Sequence, residues 1–517
     1  MQPIPLPAPY AGVDELTPVI ALESPFCENL LNYNLTRAGA ILRNGDSILS
    51  FLAIGSRSPK AIGVYSESVS IAVLYTTNTA WYFYNANTEA LLLTDAGAVS
   101  GGSLVTPFRF NNRLFFFINS GFGSPGYVYD GATVAALGYT GSGFSPLGGV
   151  AYKGRPYIAE SGEAAYWYGD IGQITGALTK IDLTTVVSDS SDTLTAIGTV
   201  TLADNVSTVA LIAFIFASGE VLFYSGSYPN SATWALAGTA SIGKPTGPRC
   251  TIAYQGDTIV LTETGVFSLR ELFLKGAEGA QDLSINSRIQ KSWTALVETI
   301  SSSLLSAVNR SQIRGVWDKV NGRLVISLPG YLSLGALVRG SYYFIFNTEL
   351  KSWYFHRSQG VTSTGFINDI CYQNNKVLLL GDSTTGDLVV WSKEGATGFT
   401  DRSDTDAVEQ PFSYEVKSAP VSTGRAYVSK AAGLDVIVNS DLYAETDYNF
   451  VCDLGVQTTT SQKVNGVSGS LQKPFVNIGI EGSYIQYKIS GTTVTGKTVG
   501  YQLYGVNLWQ DSGTSPR

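Results

Sequence analysis

Seven times in this chain a short apolar run breaks at a Gly or Asn turn and a second apolar run returns at once. The turns centre on Asn78, Asn112, Gly154, Gly219, Gly256, Gly322 and Asn375. Gly and Asn tolerate the positive φ of tight hairpins, while the flanking β-branched and aromatic residues favour strands. A hairpin at intervals of roughly 40 residues is the mark of an all-β chain built as a β-propeller, here of about six to eight blades. A propeller does not by itself specify a function.

At 517 residues the chain has room for two or three domains. The hairpins fill residues 39–400, the expected propeller. Beyond Asp401-Arg402-Ser403-Asp404-Thr405-Asp406, which reads as a polar linker, Phe412–Val416, Leu434–Val438, Tyr484–Ile489 and Tyr501–Trp509 alternate in period two. Residues 401–517 therefore read as a small β-domain of sandwich type. The linker carboxylates lack the Gly and downstream Glu of a calcium loop, so no metal is expected there.

Two segments depart from the hairpin pattern. Pro3, Pro5, Pro7 and Pro9 alternate at the start, and alternating proline is expected to stay outside sheet ladders and helices. Residues 1–38 are thus expected to form an extended arm, and an arm lying across a neighbour makes these prolines candidate subunit contacts. In residues 284–308, Ile285, Ile289, Trp293, Leu296, Ile300, Leu304 and Val308 fall on one face of an amphipathic helix, with Ser284 as its expected N-cap. That helix would be an insertion that either packs on its own propeller or meets another subunit. On the second reading Trp293 and Leu296 join the contact candidates.

Charged residues are only 14% of the chain, against roughly 25% in an average soluble protein. Neutral polar surfaces pack together without desolvating charge, which suits an assembly subunit. The net charge of −8 argues against a nucleic-acid binder, which needs clustered cations to displace phosphate counterions. It is compatible with a conduit whose wall repels DNA as it slides past. Cys27, Cys250, Cys371 and Cys452 are isolated and read as buried thiols of a protein folded in a reducing cytoplasm. No signal peptide is expected. Val209–Ala217 is too short for a bilayer-spanning helix and reads as a strand returning through Val221-Leu222-Phe223-Tyr224.

Several motifs suggest chemistry that their context does not support. Gly491-Thr492-Thr493-Val494-Thr495-Gly496-Lys497-Thr498 matches the phosphate-binding loop letter for letter, but strand alternation follows where a helix is required. Gly121-Phe122-Gly123-Ser124-Pro125-Gly126 matches the dinucleotide fingerprint, yet it sits between strands and opens no helix. The single histidine, His356, lies in a strand pattern with no serine or cysteine elbow elsewhere, so it reads as structural. Trp81, Tyr166, Trp167 and Trp391 are candidate sugar-stacking residues, although blade packing accounts for aromatics in strands equally well. The repeated Ser-x-Asp-x-Gly-x-x-Trp box of sialidases is absent.

Three ordered stretches together resemble the tail nozzle proteins of short-tailed bacteriophages, also called tail tubular or packaged-DNA-stabilisation proteins. The first is Leu31-Asn32-Tyr33, Arg37-Ala38-Gly39 and Leu42-Arg43-Asn44-Gly45. The second is Val221-Leu222-Phe223-Tyr224-Ser225-Gly226-Ser227-Tyr228-Pro229, closing on Trp234-Ala235-Leu236-Ala237-Gly238. The third is Gly243-Lys244-Pro245-Thr246-Gly247-Pro248-Arg249, followed by Gly256-Asp257 and Leu261–Leu269. The resemblance implies a virion tail subunit, made in the host cytoplasm, that forms a hexameric ring below the portal and adaptor. The ring would extend the DNA channel, retain the packaged genome and conduct it during ejection, with tail fibres or a plug as further partners. It implies no catalytic residues and no cofactor, so an enzyme is not expected. The alternative is a receptor-binding tail propeller that binds or cleaves carbohydrate.

Overall fold

A computed structural model of the chain describes residues 3–17, 22, 26–37, 39–43, 47–49, 59–65, 71–75, 81–85, 90–95, 104–119, 126–131, 133–203, 208–276, 283–302, 313–328, 341–358, 367–373, 376–381, 388–391, 400–402, 409–411, 413–419, 421–422, 429–439, 446–452, 457–458, 462–463, 471–472, 475–482, 484–492 and 502–510. The fold is all-β with a propeller-like arrangement of sheets.

Seven antiparallel sheets begin with the strands Pro59–Val64, Leu104–Phe110, Pro146–Tyr152, Leu194–Ala203, Thr251–Tyr254, Arg314–Asp318 and Ile367–Gln373. Each of these first strands touches the first strand of the next sheet, and the last touches the first, so the described sheets form a closed cycle. Small residues on the first strands allow the close approach. A Cβ on Gly315 would lie 2.2 Å from Ile252 Cδ1 of the neighbouring sheet, and one on Gly198 would lie 2.8 Å from Leu269 Cδ1.

Each expected hairpin falls in a different sheet. Asn112, Gly154, Gly256, Gly322 and Asn375 lie between first and second strands, whereas Asn78 and Gly219 lie between second and third. That difference accounts for the long interval from Gly154 to Gly219 and the short one from Gly219 to Gly256. Asn78 and Asn375 themselves are outside the described residues. At Asn111-Asn112 (φ 45° and 53°), Lys153-Gly154 (46° and 74°) and Gln255-Gly256 (47° and 75°) both central residues have positive φ, the turn whose twist matches the strands it joins. The hairpin around Val209–Ala217 is present, as Thr208–Phe216 pairs with Glu220–Ser225.

The fifth sheet has three strands, and helix α1 (Leu269–Lys275) starts where its third strand ends. Ser268 caps α1 by accepting from Glu271 N, and Asp257 in turn accepts from Ser268 Oγ and Arg270 N. Helix α2 (Gln290–Ser302) follows a short 3-10 turn, Ser287–Ile289. The expected cap at Ser284 is corrected: its hydroxyl bonds Asn286 Oδ1, and the helical turn begins after Asn286, which also accepts from Val266 N at 2.7 Å. Residues 303–308 of the expected helix lie outside the described residues.

The chain termini are joined by pairing. Pro3–Pro7 pairs antiparallel with Gln502–Gln510, in register from Pro3↔Trp509 to Pro7↔Gly505. The expectation that alternating proline stays out of a ladder is therefore corrected. On an edge strand only alternate N–H groups face the partner, and here Ile4 and Leu6 supply them while the prolines fall on the other parity. Phe26–Leu31 pairs with Ser413–Ser418 and, at Leu31↔Phe355, with the outer strand of the sixth sheet. The hairpin Tyr33–Thr36 and Gly39–Leu42 joins Gln502–Gln510. Ser47–Leu49 then becomes the fourth strand of the seventh sheet, pairing with Leu388–Trp391.

Of the four strands expected beyond 401, Leu434–Val438 and Tyr484–Ile489 lie within observed strands, and the other two overlap Ser413–Ser418 and Gln502–Gln510, with Phe412 and Tyr501 outside the described residues; Thr446–Cys452 and Phe475–Gly482 add to them. These strands belong to two sheets, each of which also contains amino-terminal strands, and Tyr33 meets Tyr414 edge-on between the sheets at 6.0 Å. Asp401 and Arg402 are not linker residues, because Thr400–Arg402 pairs with Glu409–Pro411.

The turns differ in how much they depend on glycine. At Gly219 (φ 97°) a Cβ would sit 2.2 Å from the Gly243 carbonyl oxygen, whereas at Gly154 (φ 74°) it would meet only Ile171 Cγ2, at 3.5 Å. Gly219→Ala is expected to cost about 2–4 kcal/mol. Gly154→Asn is expected to cost less than about 1 kcal/mol, because Asn adopts this backbone region readily. Denaturant midpoints of the two variants measure the difference, and equal losses would refute the assignment.

Candidate functional site

Among the described residues, a group of buried polar side chains lies where residues 26–43 dock on the sixth sheet. Asn32 is at its centre, only 1% exposed, with a left-handed φ of 63° that Asn adopts more easily than most residues. Its backbone N–H donates to Phe355 O at 2.8 Å, and its carbonyl accepts from Arg43 N at 3.0 Å. Its Nδ2 donates to Ser413 O at 2.6 Å, and its Oδ1 accepts from Arg357 N at 2.7 Å and Arg43 Nε at 3.0 Å. One residue thus connects the amino-terminal ribbon, the outer strand of the sixth sheet and the carboxy-terminal sheet.

Two guanidiniums are buried beside it. Arg43, fully buried, also donates to Arg357 O at 3.0 Å. Arg323 donates to Asp318 Oδ2 at 2.7 Å and to Asn34 Oδ1 at 2.9 Å. Burial works against the Arg323 charge, but Tyr354 and Asp318 outweigh it and hold the guanidinium above its ordinary value. His356 is fully buried, and its Nε2 lies 3.0 Å from Tyr33 O. Burial, then Arg43 and Arg323, hold its imidazole well below the usual 6.5, so it is neutral at neutral pH. The structural role expected of His356 agrees with this placement.

A cavity of about 360 Å³ borders the cluster, lined by Asn34, Arg37, Arg323, Asn347, Glu349 and Tyr354. Arg37 and Glu349 pair across its rim, both well exposed. Asn347 Oδ1 accepts from Glu349 N and Leu350 N at 3.0 and 2.9 Å, which holds the turn at the cavity wall. The amino-terminal segment also grips α2 and the 3-10 turn before it: Asp14 pairs with Arg288 of the turn at 3.2 Å, and Glu15 accepts from Ser292 N of α2 at 2.8 Å. The arrangement aligns charges that hold strands together. No group of three or more potential metal ligands occurs among the described residues.

The structure does not gather the candidates from sequence into one site. Trp293 is fully buried, donating from Nε1 to Thr262 O at 3.0 Å and packing on Phe344 at 5.8 Å. As a subunit contact it is corrected to a core residue of its own chain. The side chain of Leu296 is outside the described ones. Pro9 is buried, which removes it from the exposed arm, and Pro3, Pro5 and Pro7 lie in the paired strand.

Tyr166 and Trp167 are 0% and 4% exposed, so neither is available to stack on a sugar. Tyr166 packs on Phe214 at 4.4 Å, and Trp167 donates to the buried Glu160, whose carboxyl burial pushes above its usual range. Trp81 and Trp391 lie in strands, their side chains undescribed. Cys27, Cys250 and Cys371 are buried thiols, and burial raises the Cys250 thiol to about 12. Gly491 and Thr492 end a strand, Gly126 starts one, and the remainder of both motifs lies outside the described residues. So do residues 403–406 of the carboxylate run.

Sequence reasoning missed Asn34, Asp318, Arg323 and Tyr354 as a group. One local signal was present: Asp318 and Arg323 face each other across the turn at Gly322, and opposite charges closing a hairpin form a cross-strand pair.

No protein-family model matches the sequence, and no curated protein matches it. Among solved structures the chain is similar to the β-propeller domain of Myceliophteria thermophila Cps50 (Swd1), with 11% identity and a TM-score of 0.41 over 65% of this chain and 97% of that one. It is also similar to Chaetomium thermophilum Raptor, with 11% identity and a TM-score of 0.40 over 71% of this chain and 29% of that one.

Because Asp318 and Arg323 are both nearly excluded from water, removing the carboxylate strands a buried cation. Asp318→Asn is expected to cost about 3–5 kcal/mol, whereas Arg37→Ala, at an exposed pair, is expected to cost less than about 1 kcal/mol. Equilibrium unfolding of both variants checks the contrast; comparable losses would mean that the inner pair is not the anchor.

Proposed function

We propose that the chain is a structural subunit of a short-tailed bacteriophage tail nozzle. In this reading six copies form a ring below portal and adaptor, extend the DNA channel, retain the genome and conduct it during ejection. The observation that carries the proposal is the use the chain makes of the residues behind the resemblance. Asn32 and Arg43 join the amino-terminal ribbon to two sheets, Val221–Tyr224 are buried within a blade, and Asp257 orders the start of α1. Residues serving as framework suit a wall whose action depends on shape and assembly rather than on bond chemistry.

The acidic balance supports the same reading, since a wall of net charge −8 does not hold DNA by its phosphates. Virion location and contacts with fibres or a plug belong to the proposal as well. Carbohydrate recognition has less support, because two of its four aromatic candidates are buried in blade packing.

Negative-stain electron microscopy and mass photometry of the purified chain, alone and with adaptor rings, test the proposal. The expected result is a rotationally symmetric ring with an open lumen that stacks on the adaptor. A monomer under all assembly conditions, or shortening of host polysaccharide by the purified protein, would overturn it.

A further inference from the structure

The ribbon from Phe26 to Leu49 pairs into three different places. It joins the carboxy-terminal strand Ser413–Ser418, the strand Gln502–Gln510, and the seventh sheet through Ser47–Leu49. The last of these closes the cycle of blades without a covalent link, and it begins only four residues after Arg43. All three are made by the same ribbon that pairs with the sixth sheet at Leu31 and Phe355.

The docking surface has an unusual charge make-up. His356 faces Tyr33 from the ribbon strand and Arg43 from just beyond the ribbon hairpin. Arg323 comes from the second strand of the sixth sheet, with Asp318 from its first. Tyr343 lies directly opposite on the third strand. Tyr354 packs at 5.4 Å on the strand of His356 itself, which also carries Arg357. Successive strand residues face opposite sides, and Arg357 lies over the Tyr342 ring, so the charges around the imidazole are the guanidiniums of Arg43 and Arg323 with the Asp318 carboxylate, beside the phenols of Tyr343 and Tyr354.

We propose that this cluster is an acid-released latch, in which a proton on His356 favours the state with the amino-terminal ribbon lifted from the sixth sheet. A proton on the imidazole adds a cation to a buried pocket already holding Arg43 and Arg323. The bond to Tyr33 O favours the proton, but it is the smallest of the influences on the ring and does not offset burial and the two guanidiniums. When the ribbon lifts, His356 reaches water and takes its proton at the ordinary 6.5. The docked state is therefore fully favoured above 6.5 and loses its advantage as pH falls below that value. The loss continues down to the depressed pKa of the docked ring, at about tenfold in the opening equilibrium per pH unit. Because the ribbon also carries Ser47–Leu49, opening frees the closing strand of the seventh sheet together with the carboxy-terminal strands.

Hydrogen–deuterium exchange of the full chain at about pH 7.5 and about pH 5, corrected for intrinsic rates, tests the latch. Peptides covering residues 26–43, 388–391 and 413–418 are expected to gain up to about 30-fold in opening together, while residues 157–167 of the third sheet stay protected. His356→Gln, which keeps a donor toward Tyr33 O but cannot be protonated, is expected to remove the acid response. The chain has a single histidine, so histidine-labelled protein gives one imidazole to titrate by NMR in the unaltered chain. Proton uptake that coincides with loss of ribbon protection supports the latch. An imidazole that takes its proton near 6.5 while the ribbon stays protected would overturn it. So would an undiminished acid response in the Gln variant.

Discussion

Asn32 links the amino-terminal ribbon to the rest of the molecule. In a left-handed conformation it turns its backbone N–H and carbonyl and both side-chain polar atoms toward four other residues on three stretches of chain. A buried amide left without such partners would cost free energy comparable to a lost hydrogen bond, so satisfaction of this one residue and correct docking of its neighbours require one another. The same geometry brings Arg43 and His356 together and sets the direction in which the ribbon leaves for the seventh sheet. Ring closure, attachment of the carboxy-terminal sheets and the buried charges all involve the ribbon that Asn32 docks.

The elements legible in the sequence were those whose cause is local. Asn111-Asn112 and Gln255-Gly256 announce their turns because φ at two adjacent positions decides the outcome. What the turns did not reveal was their place within a blade: the signature of a first-to-second turn such as Gly154 is the same as that of a second-to-third turn such as Gly219. Helix α1 was missed although Ser268 and Glu271 stand in capping-box spacing, because the preceding Val266-Phe267 continued a strand pattern. The helix cap was misplaced by a comparably local competition, in which Asn286 rather than Ser284 ends the extended chain.

The site was scarcely legible, for a different reason. Asn32 meets Ser413 across 381 residues of chain, and Arg43 meets Arg357 across 314. No periodicity or spacing rule operates over such separations. The resemblance to nozzle proteins drew attention to Asn32 and Arg43, but it carried no indication that Asp318, Arg323 and His356 would join them. A chain that brings its two ends together stores its most informative contacts where single-sequence patterns are silent.

The proline-bearing edge strand has a consequence for assembly. Pro3, Pro5 and Pro7 leave the outward side of that strand without amide hydrogens at alternate positions, so an incoming backbone finds carbonyls to donate to but no row of donors to accept from. Sheet growth therefore stops at the first strand of the chain. A molecule built mostly of strands can be crowded against copies of itself at high density without fusing into a fibre along this edge, and contacts between copies are left to faces and loops, where side chains choose the neighbour.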